Sequence, residues 1–266
     1  QRQMCIRDRA LSLSAGAGSE TSDYGSASVR IGLTEEGQKN YKKVIKSTMG
    51  YIALMKSEGQ QKHVFDELKS MSSLNEIYAS KGEGMWRATQ LANETMMYPL
   101  EDVGRVNYLY SDFSSSSYTL ILDHIRPNNM LAMLIAKGVE VDQKEHFYEA
   151  PYSYKEDDIF YQELITPEIS EDFLIPEPNP FIPKKASVPN RPFKEDIYPE
   201  VLMDEKGVKL YFGQDHEFLR PKGVIGLKIM FPEKTMNLTH RVHSKIYAKC
   251  VNESLNELGY PAKQAG

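Results

Sequence analysis

The stretch SASVRIGLTEEGQKNYKKVIKSTMGYIALMKSEG, residues 26–59, decides the fold because its hydrophobic period changes once, at Thr34. Ser26–Leu33 alternates between apolar and polar residues, as a half-buried strand does. Thr34 is a candidate N-cap, two glutamates follow in the first turn, and the apolar residues then keep helical spacing up to Gly59. The stretch therefore predicts a strand that leads directly into an amphipathic helix.

A second strand is predicted upstream, preceded by a segment that fits no element. Leu11–Gly18 is a short alternating stretch that ends in small residues, and Ser19–Gly25 is a polar turn, so two strands open the fold. Residues 1–9, QRQMCIRDR, show no apolar period and no cap. They resemble translated sequencing-adapter read-through, and we interpret them as an artefact that takes no part in the fold.

Helical patterns dominate the sequence downstream of Gly59. A second helix is predicted from about Gln61, a third over Glu83–Met97, and a fourth from about Ser114. Met130–Ala136 is an apolar run short enough to be a buried strand. Together these elements predict an α+β domain over residues 10–137.

The remainder of the chain divides into a connection and a second unit. Residues 138–200 lose regular period and are rich in proline, which predicts an interdomain linker. In residues 201–266, strands are predicted at Val208–Phe212 and Val224–Phe231, followed by a helix at about Asn237–Leu258. Two strands and one helix are too few to bury a core, so this second domain is expected to be incomplete.

Composition excludes several classes of function. Of the 266 residues, 41% are hydrophobic, which is ordinary globular composition. With 32 Lys plus Arg against 37 Asp plus Glu, the chain has no basic patch for nucleic acid or anionic lipid. No apolar run approaches the length of a membrane span. Cys5 and Cys250 lie too far apart in the sequence to form a disulfide framework or a thiolate zinc site.

No motif for catalysis or metal binding is found among the residues. None of the histidines lies in H-x-x-E-H or H-E-x-x-H spacing. There is no G-x-S-x-G nucleophile motif and no phosphate-binding glycine loop. We therefore predict neither catalytic residues nor metal ligands in this chain. The histidines inspected are His63, His124, His146, His216, His240 and His243.

Several strings, in a fixed order along nearly all of the chain after Arg9, are similar to one family. No single string is diagnostic, but their common order over about 250 residues resembles the pitrilysin and insulin-degrading-enzyme family of zinc metallopeptidases. The strings include LTEEG at Leu33–Gly37, YPLEDV at Tyr98–Val103, RPNN at Arg126–Asn129, PEPNPFIP at Pro176–Pro183 and SLNE at Ser254–Glu257.

The resemblance implies a fold and a place in a larger protein. Members of this family contain four homologous α+β domains, each an antiparallel-rich mixed sheet with helices packed on one face, in two halves that enclose a chamber. By the resemblance, residues 10–137 form the C-terminal part of the second domain. Residues 201–266 form the N-terminal part of the third, or middle, domain. The chain is thus expected to be a fragment with both domains incomplete.

The resemblance also implies a zinc metalloendopeptidase as the parent protein. In the family, the two histidines of H-x-x-E-H and a distal glutamate bind zinc in the first domain, and the glutamate of the motif activates water. No such motif occurs in this chain. We therefore expect zinc in the parent protein, none bound by this chain, and no peptide hydrolysis by this chain alone.

One functional position of the family is carried over to this sequence. A strand of the second domain, just upstream of the segment that ends in LTEEG, holds substrates by β-augmentation and is called the exosite. Small side chains suit this role because an added strand needs unobstructed backbone groups. The expected partners are peptide or unfolded polypeptide substrates and the remaining domains of the parent chain. The residues at this position are Leu13, Ser14, Ala15, Gly16 and Ala17.

Two alternatives remain open at this point. An inactive homologue of the same fold would act as a peptide-binding or partner subunit, and only the sequence upstream of Ala10 would distinguish it. A free-standing interaction protein that uses the linker, in which acidic residues dominate Glu145–Glu177, would fold cooperatively by itself. Relatives occur in both the periplasm and the cytosol, so the sequence assigns no compartment.

Overall fold

The computed structural model describes most of the chain after residue 7. Residues 1–7 lie outside the described part, and with them Cys5 and most of the segment interpreted as an artefact; His216 lies outside it as well. The described residues are 8–19, 23–79, 82–110, 112–184, 187, 198–215, 217, 219–232 and 237–265.

Helices alternate with short antiparallel hairpins, which confirms the predicted α+β class. The described strands form three separate two-stranded sheets, β1–β2, β3–β4 and β5–β6, and each pair is antiparallel. In chain order the elements are β1 (Ala10–Ser19), β2 (Gly25–Leu33), α1 (Glu35–Lys39), α2 (Tyr41–Glu58), α3 (Lys62–Ile77), α4 (Gly84–Met97), α5 (Ser115–His124), β3 (Gln143–Lys144), β4 (Pro151–Tyr152), α6 (Asp158–Glu163), β5 (Glu200–Glu205), β6 (Val208–Phe212), α7 (Leu238–Ser254) and α8 (Asn256–Gln264).

The chain separates into two compact units, and each is built from two stretches of sequence. Unit 1 comprises Gln1–Phe65 and Ser111–Glu177. Unit 2 comprises Asp66–Tyr110 and Pro178–Gly266. The candidate exosite strand belongs to unit 1.

The helix predicted after Thr34 is present as two helices. The Thr34 hydroxyl accepts a hydrogen bond from the Gly37 N–H at 3.0 Å, which confirms the predicted N-cap. Asn40 interrupts the helix with φ −116° and ψ 29°, and its side-chain amide donates to the Glu36 carboxylate at 2.7 Å. Gly59 ends α2 with φ +69°, a conformation that glycine adopts without steric cost.

The base of the β1–β2 hairpin is fixed to the start of α1. The Thr34 N–H donates to the Arg9 carbonyl at 3.0 Å, and the Thr34 hydroxyl donates to the Asp8 carbonyl at 2.7 Å. Gly37 permits this approach because a Cβ there would lie 1.9 Å from the Arg9 carbonyl oxygen. The entry into β1 is therefore set by the same turn that starts the helix.

The core of unit 1 forms where residues 157–173, called the strap here, pack against α2. Met49 of α2 clusters with Phe160 and Leu164 of the strap, and Leu164 is only 1% exposed. Both strap residues lie in the stretch predicted as a linker. Their spacing after the polar residue Asp157 is a helical signal that the sequence analysis passed over. The buried hydrophobic side chains among the described residues are Val44, Met49, Leu122, Phe160 and Leu164.

Charged pairs flank this apolar contact. The Lys42 ammonium bonds the Asp157 carboxylate, and Lys46 Nζ lies 2.6 Å from Glu163 Oε2. Asp157 also caps α6, since its carboxylate accepts the Phe160 N–H at 3.1 Å. Lys42 Nζ lies 4.7 Å from the centroid of the Phe160 ring. One helical face of α2 thus presents two cations and one apolar side chain that match the strap.

The C-terminal half of the strap approaches α2 through a glycine. A Cβ at Gly50 would lie 2.4 Å from the Glu168 carbonyl oxygen, so only glycine permits this contact. The rings of Tyr51 and Phe173 meet edge to face with their centroids 5.7 Å apart. Burial against this segment raises the pKa of Tyr51.

In unit 2, the buried carboxylate of Glu94 joins α4 to the turn that follows it. Glu94 Oε2 accepts the Gly104 N–H at 2.7 Å, and Oε1 accepts the Gln90 side-chain amide at 2.6 Å. Arg87 donates to the Gly104 carbonyl at 3.1 Å. Gly104 has φ +82°, so a residue with a side chain would strain this turn. These bonds satisfy a carboxylate that is costly to bury alone.

Two predicted strands are not strands in the structure. Met130–Ala136 and Val224–Phe231 are irregular, and Ile135 and Ile225 are 88% and 99% exposed. An apolar run of strand length becomes a strand only where a neighbouring edge accepts its backbone hydrogen bonds. Neither run is paired with a described strand.

The predicted strand Val208–Phe212 is confirmed as β6, but its partner is the preceding segment β5. Lys206 and Gly207 form the two-residue turn between them, with φ +51° and φ +79°. Two successive positive φ values are those of a type I′ turn, whose twist matches an antiparallel hairpin. The pairing is therefore determined locally, by a turn signal that the sequence analysis did not use.

Leu164→Ala is expected to lower the free energy of unfolding of unit 1 by about 2 to 5 kcal/mol, because it leaves a cavity against Met49. Urea denaturation, together with hydrogen exchange of the α2 amides, measures the loss. Ile165→Ala is the matched control. Its side chain is 59% exposed, so a change within about 0.5 kcal/mol is expected. Equal effects of the two substitutions would contradict this description of the core.

Asp157→Asn is expected to reduce the acid sensitivity of unit 1. Hydrogen bonds from the Lys42 ammonium and then from the Phe160 N–H lower the pKa of Asp157. A carboxylate with a lowered folded pKa stabilises the fold above its unfolded pKa, near 3.9, and that stabilisation is lost as the pH falls through the folded value.

Between about pH 5 and pH 2, the urea midpoint should therefore fall less steeply with pH in Asp157→Asn than in the unsubstituted 266-residue chain. Asp158→Asn serves as the control, because Asp158 is the exposed neighbour in the first turn of α6. A slope unchanged by Asp157→Asn would contradict the role assigned to the pair with Lys42.

Candidate functional site

The structure places all of the sequence-predicted site residues in the middle of β1. All five are exposed, and one edge of β1 is paired with β2. No strand within the described ranges pairs with the opposite edge of β1. The edge therefore presents unpaired backbone N–H and C=O groups, which is the feature that β-augmentation requires. The five residues are Leu13, Ser14, Ala15, Gly16 and Ala17.

The register with β2 sorts these side chains onto two different faces. Residues directly opposite each other on antiparallel strands point to the same side of the sheet. One face carries the apolar pairs, and the other carries small or polar pairs with a single cation. The apolar pairs are Leu13–Ile31, Ala15–Val29 and Ala17–Ala27; the small or polar pairs are Ser14–Arg30, Gly16–Ser28 and Gly18–Ser26.

The backbone of β1 is open along its second half. A Cβ added at Gly16 or Gly18 would meet nothing within 4 Å. Near the base of the hairpin the register shifts by one residue at Leu11, and a Cβ at Gly32 would lie 2.5 Å from the Ser12 hydroxyl oxygen. The bulge and this close approach fix the register at the base, whereas the Gly-containing half leaves its backbone accessible.

The contribution of β2 was missed by the sequence analysis. Val29, Arg30 and Ile31 give the hairpin its two different faces, although only β1 residues were predicted as site residues. The signal was present, since the alternation of Ser26–Leu33 assigns these side chains to opposite sides of the strand. What the sequence did not supply is the register, which decides which residues of β1 they accompany.

The described residues offer no set of ligands for zinc. They contain no group of three or more His, Cys, Asp or Glu side chains that would hold a metal ion. His63 Nε2 lies 3.0 Å from the Pro176 carbonyl oxygen, and His124 Nδ1 lies 2.8 Å from that of Leu120. These two histidines contact main-chain carbonyl oxygens. The donor set of the described residues does not fit the zinc that the resemblance implies for the parent protein.

Among the helices of the described ranges, none combines the length and the apolar character that crossing a bilayer requires. The unpaired edge of β1 has the geometry for reversible binding of an extended chain through main-chain hydrogen bonds, with side chains of β1 and β2 adding selectivity.

Comparison with known proteins identifies the family of the chain. The family model described as "Middle or third domain of peptidase_M16" matches residues 77–266, which is most of the chain. Insulin-degrading enzyme of Homo sapiens is 27% identical over 241 residues, covering 90% of this chain and 24% of that protein. A Schizosaccharomyces pombe protein named as a zinc protease is 29% identical over 239 residues, covering 88% of this chain and 25% of its own length.

The fold agrees with that of a solved relative. The crystal structure of pitrilysin matches with a TM-score of 0.68 and 20% identity, covering 81% of this chain and 23% of pitrilysin. The chain spans about a quarter of the length of the curated relatives it matches. The family model covers well over half of the residues, and the chain therefore belongs to the peptidase M16 family, together with insulin-degrading enzyme and pitrilysin.

Proposed function

We propose that this chain is a non-catalytic, substrate-holding part of a zinc metalloendopeptidase. The free edge of β1 takes up an extended peptide as an added strand, and hydrolysis occurs at a zinc site in another domain of the whole protein. The zinc ion, when bound there, activates water for attack on the peptide bond. The observation that carries the proposal is an exposed strand edge lined by Ala15, Gly16 and Ala17, with no strand beside it in the described structure.

The expected affinity of such a site is modest. A five-residue strand edge offers about five main-chain hydrogen bonds, because alternate residues point their N–H and C=O groups outward. Each bond contributes only about 0.5 to 1.5 kcal/mol in water, and the peptide loses conformational freedom when it binds. Weak binding that depends little on sequence suits a site that positions many substrates and then releases them.

The exposed apolar residues of unit 2 support the proposal that other domains of the parent protein are partners. Ile225 is 99% exposed and Leu227 is 85% exposed, although both side chains are of the kind that proteins bury. We propose, as the sequence predicts, that residues 10–137 and 201–266 belong to the second and third domains and that residues 138–200 connect them. In the parent protein, other parts of these domains then bury the exposed apolar side chains.

The reading frame upstream of Ala10 at the encoding locus tests the catalytic half of the proposal. An H-x-x-E-H motif with a downstream glutamate is expected, because zinc hydrolysis needs two histidines, a third ligand and a base. A degenerate motif would contradict the peptidase assignment and favour the inactive homologue that binds peptides or a partner.

Proline substitutions at Ala15 and Gly16 test the binding half. Neighbouring residues of a strand point their N–H groups to opposite edges, so one proline blocks the outer edge and the other breaks a bond to β2. We expect both variants to lose at least about tenfold in affinity for fluorescein-labelled insulin B chain, measured by anisotropy. We expect only one of them to lose hydrogen-exchange protection in β2.

Ala132→Pro is the control for a generic effect of proline. Ala132 is exposed and lies in the irregular run that follows Pro127–Asn129, so its substitution should leave both readouts unchanged. One proline variant is expected to keep its hydrogen-exchange protection in β2 and so to keep the hairpin intact. If that variant bound the B chain as tightly as the unsubstituted chain, the edge of β1 would not be the peptide site.

A further inference from the structure

We propose that the β1 edge selects extended segments with apolar side chains at alternate positions and small or acidic side chains between them. This inference rests on the proposed function and names the class of peptide that the site takes. It follows from the two faces of the hairpin, because a peptide that adds to β1 continues both faces.

The apolar face accounts for the alternate apolar positions. Leu13, Ala15 and Ala17 point to this side of β1, and Val29 of β2 lies opposite Ala15 with 45% of its surface exposed. A bulky peptide side chain beside Ala15 has room to lean over that small residue towards Val29. Each such pair adds cross-strand apolar contact that a polar side chain would not make.

The opposite face accounts for the residues in between. It carries Ser14, Gly16 and Gly18 of β1, whose side chains are small or absent, so the surface here consists of a hydroxyl group and backbone. A large apolar side chain on this side would meet hydroxyl groups and open backbone, with little apolar surface to cover. Small side chains are therefore the better fit along this face.

Arg30 adds a preference for acid on the same face. Arg30 is exposed and lies opposite Ser14 on β2, one strand away from the free edge. Strands lie about 4.8 Å apart, so a guanidinium that reaches over Ser14 and a glutamate side chain on the added strand span the gap between them. A charge-assisted hydrogen bond then favours a peptide carboxylate there over an amide.

The test compares synthetic peptides that differ in order and not in composition. One fluorescein-labelled peptide of about ten residues alternates Val and Leu with Ser and Glu; the second has the same residues with the apolar ones in one block. A third is the alternating peptide with N-methyl groups at every second residue along its hydrogen-bonding edge. Anisotropy with the full 266-residue chain gives the three affinities.

We expect the alternating peptide to bind about tenfold more tightly than the blocked one, from two or three apolar cross-strand pairs. Arg30→Gln should reduce binding of the Glu-containing alternating peptide by about threefold to tenfold and leave a Gln-containing version unchanged. Ser28→Gln is the matched control, because it places the same Gln side chain on the same face of β2 and leaves Arg30 in place. This variant should still bind the Glu-containing peptide more tightly than the Gln-containing one.

The failures of the two proposals are distinguishable. Equal affinity for the alternating and blocked peptides, with the N-methylated peptide failing to bind, would overturn the sequence preference and leave the edge as a binding site. No difference between the alternating and N-methylated peptides would overturn the edge site itself, and the preference with it. Failure of all three peptides to bind would overturn both.

Discussion

The contact between α2 and the strap is the interaction on which unit 1 depends. The hydrophobic cluster contains three buried side chains: Phe160 and Leu164 of the strap and Met49 of α2. The flanking pairs of Lys42 with Asp157 and Lys46 with Glu163 are partly exposed, so they define the position of the strap more than they stabilise it. The β1–β2 hairpin is attached through Thr34 to the start of α1, the short helix that precedes α2 in the chain.

Local signals predicted the elements of the fold well, and pairing was predicted poorly. The cap at Thr34, the stop at Gly59 and the helix start at Ser114 each depend on residues within one turn, and all three are present. Val224–Phe231 failed because a strand is defined by its neighbour, which no single stretch of sequence contains. The helix of the strap was missed for a similar reason: its proline-rich surroundings indicate a linker packed on a surface, and only the structure shows that its partner is α2.

The candidate site shows the same difference between local signals, which the sequence contains, and strand pairing, which it does not. Leu13–Ala17 were found through a family resemblance and small side chains, both visible in the sequence, and the structure shows them together on an exposed strand. The role of Val29 and Arg30 depends on a register that includes a one-residue bulge at Leu11, and a shift by one residue would exchange the two faces. A binding surface formed by two strands therefore cannot be assigned from the sequence alone, even where each strand is predicted correctly, because the register is known only from the structure.

The strap also constrains how the chain is made. Lys42 and Asp157 are separated by 115 positions in the sequence, so α2 leaves the ribosome long before the segment that covers it. At translation rates of about 5 to 20 residues per second, the apolar face around Met49 is synthesised roughly 6 to 23 s before Phe160 and Leu164. During that interval α2 is an amphipathic helix with an open face, the kind of nascent segment that chaperones bind.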